Sequence, residues 1–367
     1  MSGREFLSGL DLSEAFFTEA VAPLLETELP QLRYSCGLIG SGSEVLGFDD
    51  QMSSDHHWGP RALLFLSDAD RGQIGPRITE FLACSLPREF RGYPTNFTDP
   101  DPNDSGTQML EAKESGPINH RVEVWTIRDF FREYTGFDVR ETLRPRHWLA
   151  IPQHKLRTIT GGRVFRDDLD LNKTRARFAY YPQDVWLYLL AAGWMRIEQE
   201  EHFVGRSGYV GDELGSAVIG ARLVRDIMRL CFLMEKQYIP YPKWFGTAFK
   251  FLPSAAKLTP LLEAVFTSSS WKERQSYLSL AYQVLAGMLN SCAVTEPLPV
   301  TVEPFFVRPF FVISKGRFSA AIKKKIEDPE VKALASKRLI GSVDLFSDST
   351  DILSDSCWFP NVVQFYR

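Results

Sequence analysis

A glycine–serine turn and two acidic residues are the side chains whose types and spacing suit phosphoryl chemistry. Gly42 and Ser43 follow a short apolar run, Asp55 comes soon after them, and Glu123 lies within a later alternating segment. The backbone N–H groups of such a turn can cradle phosphate oxygens. Carboxylates from neighbouring strands can converge on a divalent metal ion, which neutralises the transferring phosphate and activates the attacking oxygen.

Each of these residues, taken alone, has a simpler interpretation. Most Gly-Ser turns are only turns, and an Asp before a strand usually caps the backbone or faces water. Glu123 in an alternating strand could likewise face solvent. The order of the three features, with a turn first, then an Asp, then an acid in a later strand, favours the phosphoryl hypothesis.

Three apolar segments are predicted to be the strands that position these residues, and they cover residues 34–39, 61–66 and 120–126. Helical spacing of apolar residues predicts helices over 11–29, 71–84 and 127–134. Gly161 and Gly162 predict a β-hairpin over residues 157–165. A stretch rich in Pro, Asn, Asp, Gly and Ser predicts a long loop over residues 90–117.

The apolar period becomes helical after residue 182, which indicates a second architecture in the rest of the chain. Residues 212–236 predict one long helix, and further helices are predicted within 254–293 and 316–338. A chain of 367 residues exceeds the roughly 250–300 residues of a single core. The fold class expected is therefore α+β, with a small mixed-sheet domain over residues 1–180 and a helical domain with a C-terminal extension over 181–367.

Composition limits the classes of partner and compartment. The net charge of −4 argues against broad, nonspecific nucleic-acid binding, which needs a basic face. The five cysteines include no C-x-x-C pair, so a zinc knuckle is not expected, and buried thiols suit a reducing compartment. The N-terminus has no apolar signal region and no apolar run is long enough to span a membrane. A soluble, cytoplasmic protein is the expectation.

The turn and its acids resemble the motif of the polymerase-beta-like nucleotidyltransferase superfamily, in which Gly-Ser precedes an Asp-x-Asp pair and a third carboxylate on a later strand. More closely, the chain resembles a family of uncharacterised proteins assigned to that superfamily. The stretches that carry this closer resemblance span nearly the whole chain: GSGSEVLGFDD (40–50), SDHHWGPR (54–61), RVEVWTIRDFF (121–131), GGRVF (161–165), YPQDVW (181–186), VGDELG (210–215), RDIMR (225–229) and GSVD (341–344).

This resemblance implies catalytic and metal-binding roles for Asp55 and Glu123, with Mg²⁺ or Mn²⁺ as the ion. His57 stands where the superfamily has its second acid. Three interpretations of His57 remain open. It is a metal ligand, although imidazole prefers softer ions than Mg²⁺, or it is a general base. In the third, the site has lost two-metal catalysis and only binds a nucleotide or another anion.

Two arginines are further candidates for contact with nucleotide phosphates. Arg61 lies four residues after His57 and would either reach a triphosphate or form a structural ion pair, for example with Asp55. Arg225 lies on the predicted helix 212–236, near an arginine-bearing face that would either contact phosphates or the acceptor, or be an ion-paired surface.

The resemblance implies the transfer of a nucleoside monophosphate from an NTP to an acceptor. Gly42 and Ser43 would bind the β- and γ-phosphates, and the acidic charge of the chain favours a small-molecule acceptor over tRNA or protein, which stay as alternatives. Two other hypotheses remain: a nucleotide-binding protein without catalysis, and a transferase of a different class that uses the same cleft. Fold analogy does not choose among them.

Overall fold

The computed structural model describes residues 6–53, 57–104 and 106–367. The chain divides into two compact units, Met1–Thr142 with Lys155–Ala179, and Leu143–His154 with Tyr180–Arg367. Helices dominate and the sheets are small and mixed, so the α+β fold class is confirmed. Residues 143–154, which the sequence analysis placed in the first domain, group with the second unit.

The first unit is built on a four-stranded mixed sheet. The unit contains six strands: β1 (Ser35–Leu38), β2 (Arg61–Leu66), β3 (Glu89–Phe90), β4 (Tyr93–Pro94), β5 (Arg121–Thr126) and β6 (Arg163–Asp167). Strands β3 and β4 form a separate hairpin, and the other four form the sheet. The order across the sheet is β5-β2-β1-β6. Strand β2 runs parallel to β5 and antiparallel to β1, and β6 also runs antiparallel to β1.

Strand β2 is buried along its whole length because both faces of the sheet are covered. Alternate residues Ala62, Leu64 and Leu66 join the core formed with the N-terminal helices. On the opposite face, the ring of Phe65 meets that of Phe130 edge-on, with centroids 5.3 Å apart. A central strand that reads as a nearly continuous apolar run is the pattern expected for burial on both faces.

The helices of the first unit are short, and a π-helical turn, Phe17–Val21, connects the first two. They are α1 (Gly9–Phe16), α2 (Ala22–Glu28), α3 (Asp68–Gln73), α4 (Gly75–Ser85), α5 (Ile127–Thr135), α7 (Gln153–Thr160) and α8 (Leu171–Ala176). Asp49 ties α1 to the region before β2, since its carboxylate accepts hydrogen bonds from the Gly9 amide at 2.7 Å and from Trp58 Nε1 at 3.0 Å. The predicted long loop contains the β3–β4 hairpin and two isolated bridges but is otherwise irregular.

The hairpin predicted over residues 157–165 is wrong. Helix α7 continues to Thr160, and only the strand β6 follows it, pairing with β1. Gly162 has a φ of +68° and its amide donates to the Val45 carbonyl at 2.9 Å. A glycine pair is as typical of a helix C-terminus as of a hairpin turn, so the same two residues end a helix here.

The second unit is an assembly of helices with one minimal hairpin, β7 (Glu303–Pro304) and β8 (Phe311–Val312). Its helices are α6 (Pro145–Ala150), α9 (Gln183–Glu200), α10 (Phe203–Tyr209), α11 (Glu213–Met234), α12 (Phe245–Phe249), α13 (Ala255–Thr267), α14 (Trp271–Ser291), α15 (Arg317–Lys323), α16 (Pro329–Ser336), α17 (Val343–Phe346), α18 (Thr350–Ser354) and α19 (Phe359–Val362). The predicted long helix is thus confirmed as α11.

Helices α9 and α11 form the centre of the second unit. Gly193 lets them approach closely, because a Cβ atom at that position would lie 2.6 Å from Leu230 Cδ2. Asp212 caps α11 by accepting a hydrogen bond from the Gly215 amide at 2.7 Å. Among the described residues, no helix combines the length and the apolar character that crossing a membrane requires.

Candidate functional site

The glycine turn that follows β1 presents backbone donors. Gly40 and Gly42 adopt φ values of +89° and +144°, which favour glycine. The Ser41 amide donates to the Tyr134 hydroxyl at 2.7 Å. Within the described part of the chain, the amides of Gly42 and Ser43 have no hydrogen-bond acceptor. The turn therefore offers two adjacent N–H groups to an anion.

A buried ion pair supports this turn from below. Arg61 Nε donates to Glu44 Oε1 at 2.8 Å, and Arg61 Nη2 donates to the Ser41 carbonyl at 2.7 Å. Arg61 is 6% exposed and Glu44 is 3% exposed. Burial acts to lower the pKa of Arg61, but the Glu44 carboxylate outweighs it and the pKa lies above its ordinary value. A Cβ atom at Gly42 would collide with both side chains, so the pair needs glycine above it.

Arg61 thus forms the structural ion pair that was one of its two predicted roles. Its partner is Glu44, whereas the sequence analysis named Asp55 as the example. Asp55 itself lies outside the described residues. The guanidinium is enclosed by Glu44 and the Ser41 carbonyl, so its contribution to an anion at the turn is to fix the shape of the turn.

Glu123 lies on β5, directly opposite Leu63 of β2. Its carboxylate accepts hydrogen bonds from Arg121 Nη2 at 2.8 Å and from Trp125 Nε1 at 3.2 Å. Burial acts to raise the pKa of Glu123, but Arg121 and the charge of Arg61 outweigh it and hold the pKa below its ordinary value. Glu123 is therefore an ionised group at neutral pH, and its carboxylate is oriented by its two neighbours on the same strand.

His57 precedes β2 and is fixed at both backbone and ring. Its amide donates to the Gln108 carbonyl at 2.9 Å, and it has a φ of +53°. Nδ1 is in hydrogen-bonding contact with Arg121 Nη1. A guanidinium has only donors, so Nδ1 is the acceptor in this contact. Arg121 consequently bridges His57 and Glu123, two of the three predicted metal ligands.

The sheet topology explains why these groups meet. Because β1 runs antiparallel to β2, the turn after β1 lies at the edge where β2 and its parallel neighbour β5 begin. The segment that carries His57 leads into β2 at that edge, and Arg121 is the first residue of β5. One edge of the first unit thus gathers the open amides, the buried pair and the Arg121 bridge.

Three residues of this edge escaped sequence reasoning: Arg121, Glu44 and Tyr134. A signal for Arg121 was present, since residues two apart on a strand share a face and Arg121 is two before Glu123. No comparable signal marked Glu44 or Tyr134, whose partners are set by the turn and by α5. Arg225, the other predicted phosphate contact, belongs to the second unit, where its Nη1 donates to both carboxylate oxygens of Asp348 at 2.9 and 3.0 Å.

The structure describes two of the three predicted metal ligands, His57 and Glu123. Across residues 6–53, 57–104 and 106–367, no group of three or more His, Cys, Asp or Glu is close enough together to hold an ion. His57 and Glu123 both contact Arg121, and Asp55 precedes His57 by two residues. A divalent ion could therefore bind at this edge only if Asp55 supplied a third ligand and if Arg121 released His57 and Glu123.

The depressed pKa of Glu123 predicts a pH-dependent contribution to stability. A carboxyl whose folded pKa is below its ordinary value of 4.5 stabilises the fold above pH 4.5, and this contribution is lost as the pH falls through the folded pKa. The difference in free energy of unfolding between wild type and Glu123→Gln, measured by urea denaturation, should therefore shrink from neutral pH to about pH 3. Glu133→Gln, on the exposed side of α5, is the control. A difference that stays constant or grows toward acid pH would contradict this assignment.

Comparison with known families adds one match. A family model described as Domain of unknown function (DUF4037) matches residues 148–245. The matched segment contains the stretches at 161–165, 181–186, 210–215 and 225–229, and the turn, His57 and Glu123 lie outside it. No curated protein and no solved structure matches the chain. The chain is thus similar, over this central segment, to a family of unknown function.

Proposed function

We propose that this chain binds a nucleoside triphosphate at the Gly42–Ser43 turn and transfers its nucleoside monophosphate to a small-molecule acceptor. The observation that carries the proposal is the pair of open amides at the edge of the sheet that also holds Glu123. Adjacent N–H groups in a turn of this kind form a concavity suited to phosphate oxygens. The resemblance of the turn, Asp55 and Glu123 to the polymerase-beta-like nucleotidyltransferase motif supports the same chemistry.

The protein groups have separate tasks in this proposal. The amides of Gly42 and Ser43 hold the outer phosphates, and the Arg61–Glu44 pair keeps the turn in its binding shape. Asp55, His57 and Glu123 are the residues that would hold Mg²⁺ or Mn²⁺. Such an ion supplies charge neutralisation for the transferring phosphate. Arg121, which contacts both Glu123 and His57, holds the two groups at this edge of the sheet and would have to release them when the ion binds.

A second function is favoured by one specific observation, the Arg121 bridge. A guanidinium bonded to Glu123 and His57 gives these two groups a fixed positive partner. In that arrangement the chain would bind a nucleotide at the turn without transferring any part of it. This alternative predicts nucleotide binding that needs no divalent ion and no Glu123 carboxylate.

Thermal unfolding with ATP, GTP, CTP and UTP, each with and without Mg²⁺ or Mn²⁺, separates the two functions. A ligand at about 100 times its Kd stabilises the folded state by ~2.7 kcal/mol, which raises the midpoint measurably. Transfer predicts a midpoint rise that requires the ion and is lost in Glu123→Gln, with pyrophosphate release once an acceptor is present. Binding alone predicts a rise that survives both changes, and Glu133→Gln is the matched control. No rise with any nucleotide would contradict both functions and favour a transferase of a different class.

A further inference from the structure

A cavity in the second unit carries an arrangement that the proposed function does not use. It lies between helix α11, the aromatic segment at 239–245 and the stretch at 344–354, and its volume is about 150 Å³. Its lining includes both a cluster of charged side chains and a set of apolar ones. A cavity of roughly this size engineered into another protein accepts benzene, so the space suits one ring or a short aliphatic group.

Two arginines of the lining lie beside the same carboxylate, that of Asp348. Arg225 Nη1 donates to Asp348 at 2.9 Å, and Arg229 Nη2 lies 3.7 Å from the same carboxylate, beyond hydrogen-bonding distance. The side chains of Arg225 and Arg229 are 34% and 16% exposed, whereas that of Asp348 is 69% exposed. Arg225 is thus paired with a carboxylate that is mostly in water, and Arg229 lies near that carboxylate without a hydrogen bond to it.

Next to Arg229 lies a buried acid, Asp226, whose carboxylate accepts no hydrogen bond from the described residues. The Asp226 side chain is 1% exposed, and neither of its oxygens has a hydrogen-bond donor among the described residues. Arg229 Nη1, 3.6 Å away, is also buried and has no acceptor there. Both side chains line a small inner chamber of about 20 Å³, next to the main cavity and sharing Arg229 and Asp344 with it. Buried polar atoms without partners are rare, and they are costly unless a water or a ligand completes them.

Asp344 does not compete for these arginines in the same way. Its carboxylate accepts hydrogen bonds from the Gln153 amide at 3.1 and 3.2 Å and from the Ser342 hydroxyl at 3.1 Å. Its oxygens are therefore occupied by the Gln153 amide and the Ser342 hydroxyl. Arg229 lies 3.6 Å from Asp226 and 3.7 Å from Asp348, whereas Arg225 is paired with Asp348.

The apolar part of the cavity lining consists of flat and aliphatic side chains, among them Pro240, Tyr241, Phe245 and Leu353. Tyr241 is held edge-on against the ring of His154, with centroids 5.9 Å apart. Aromatic walls of this kind favour a flat apolar group through burial and ring contacts. The cavity lining thus combines cationic groups for an anion with apolar walls for a ring.

We infer that this cavity binds a small organic anion, with its carboxylate or phosphate on Arg225 and Arg229 and its single ring or short aliphatic group against Tyr241 and Phe245. The incoming anion replaces Asp348 on the two arginines. Displacement has little cost because exposed ion pairs contribute little to stability. The gain is larger, because a bidentate anion satisfies a buried guanidinium that Asp348 does not reach. This inference is independent of the nucleotide site in the first unit.

Isothermal titration with benzoate, phenyl phosphate, the neutral isostere benzamide and inorganic phosphate tests the site without any nucleotide. We expect benzoate or phenyl phosphate to bind at least about tenfold more tightly than benzamide and inorganic phosphate, a difference of ~1.4 kcal/mol. Tighter binding of phenyl phosphate would assign the head group as a phosphate, and tighter binding of benzoate as a carboxylate. If benzoate binds no more tightly than benzamide and phenyl phosphate binds no more tightly than inorganic phosphate, the inference is overturned.

Variants provide the second arm of this test. Arg225→Gln should weaken binding of the preferred anion by about tenfold or more, since it removes a charge-assisted contact. Asp348→Asn should strengthen binding several-fold, because it removes the competing carboxylate. Arg222→Gln, on the same helix but paired with Glu200 and absent from the cavity wall, should leave affinity unchanged. Thermal unfolding of each variant without ligand verifies its fold. If neither aromatic anion binds even to Asp348→Asn, or if Arg225→Gln binds as well as wild type, the site is refuted.

Discussion

Replacing Arg61 with methionine is expected to lower the free energy of unfolding by about 3–5 kcal/mol. The substitution leaves the Glu44 carboxylate, 3% exposed, without its cationic partner. An ionised group left alone in a buried site costs far more than the pair contributes to stability when intact. It also removes the donor to the Ser41 carbonyl, so the turn loses the contact that shapes it. Guanidinium chloride denaturation of both proteins measures the difference.

Two further variants separate the buried pair from the general effect of losing an arginine. Arg77→Met removes an arginine whose side chain is 61% exposed and paired with Glu28, and it should cost only about 0–1 kcal/mol. The double variant Arg61→Met with Glu44→Leu should recover much of the lost stability, because no charge is then left buried. If Arg61→Met costs no more than Arg77→Met, the pair does not support the fold as described.

Gly42→Ala is expected to destabilise the chain by about 2–4 kcal/mol and to abolish nucleotide-dependent stabilisation. Strained backbone and overpacking each cost about 1–3 kcal/mol. At Gly42 both apply, since its φ is +144° and a Cβ atom would collide with Arg61 and Glu44. Relief of that collision moves the turn, and with it the Gly42 and Ser43 amides. Thermal unfolding with and without each NTP measures both effects.

Gly47→Ala is the matched control for this variant. Gly47 also has a positive φ, of +70°, but a Cβ atom there would meet nothing within 4 Å. It should therefore cost only the left-handed strain of about 1–2 kcal/mol and retain the nucleotide response. Equal losses of stability and of nucleotide response in the two variants would mean that the collision beneath Gly42 is irrelevant.

The elements that carry the site follow from local sequence patterns. The apolar run before Gly40 and the run at 61–66 became neighbouring strands, and the alternating segment at 120–126 became the third. Period-two alternation and the glycine turn are local signals, so they can be read without knowledge of the partner strands. The long helix α11 could also be predicted from the sequence, because its apolar stripe repeats over many turns.

What the sequence did not yield depends on long-range pairing. The choice between a hairpin and a helix before Gly161 was decided by the pairing of β6 with β1, which lies far away along the chain. The partner of Arg61 was set in the same way, since Glu44 reaches it only because β1 brings the turn beside the start of β2. The contact between Arg121 and Glu123 could have been predicted from their spacing on a strand. The contact between Arg121 and His57 could not, because it requires the loop before β2 to be in place.

The central claim is that the open amides of the Gly42–Ser43 turn bind a triphosphate, and amide hydrogen exchange tests it most directly. Exchange at residues 40–46 is followed with millimolar ATP, GTP, CTP or UTP, each with Mg²⁺. The account predicts that at least one nucleotide slows exchange in this segment of the wild type and does so no longer in Gly42→Ala. Unchanged exchange at residues 40–46 with all four nucleotides, or protection confined to other segments, would contradict it.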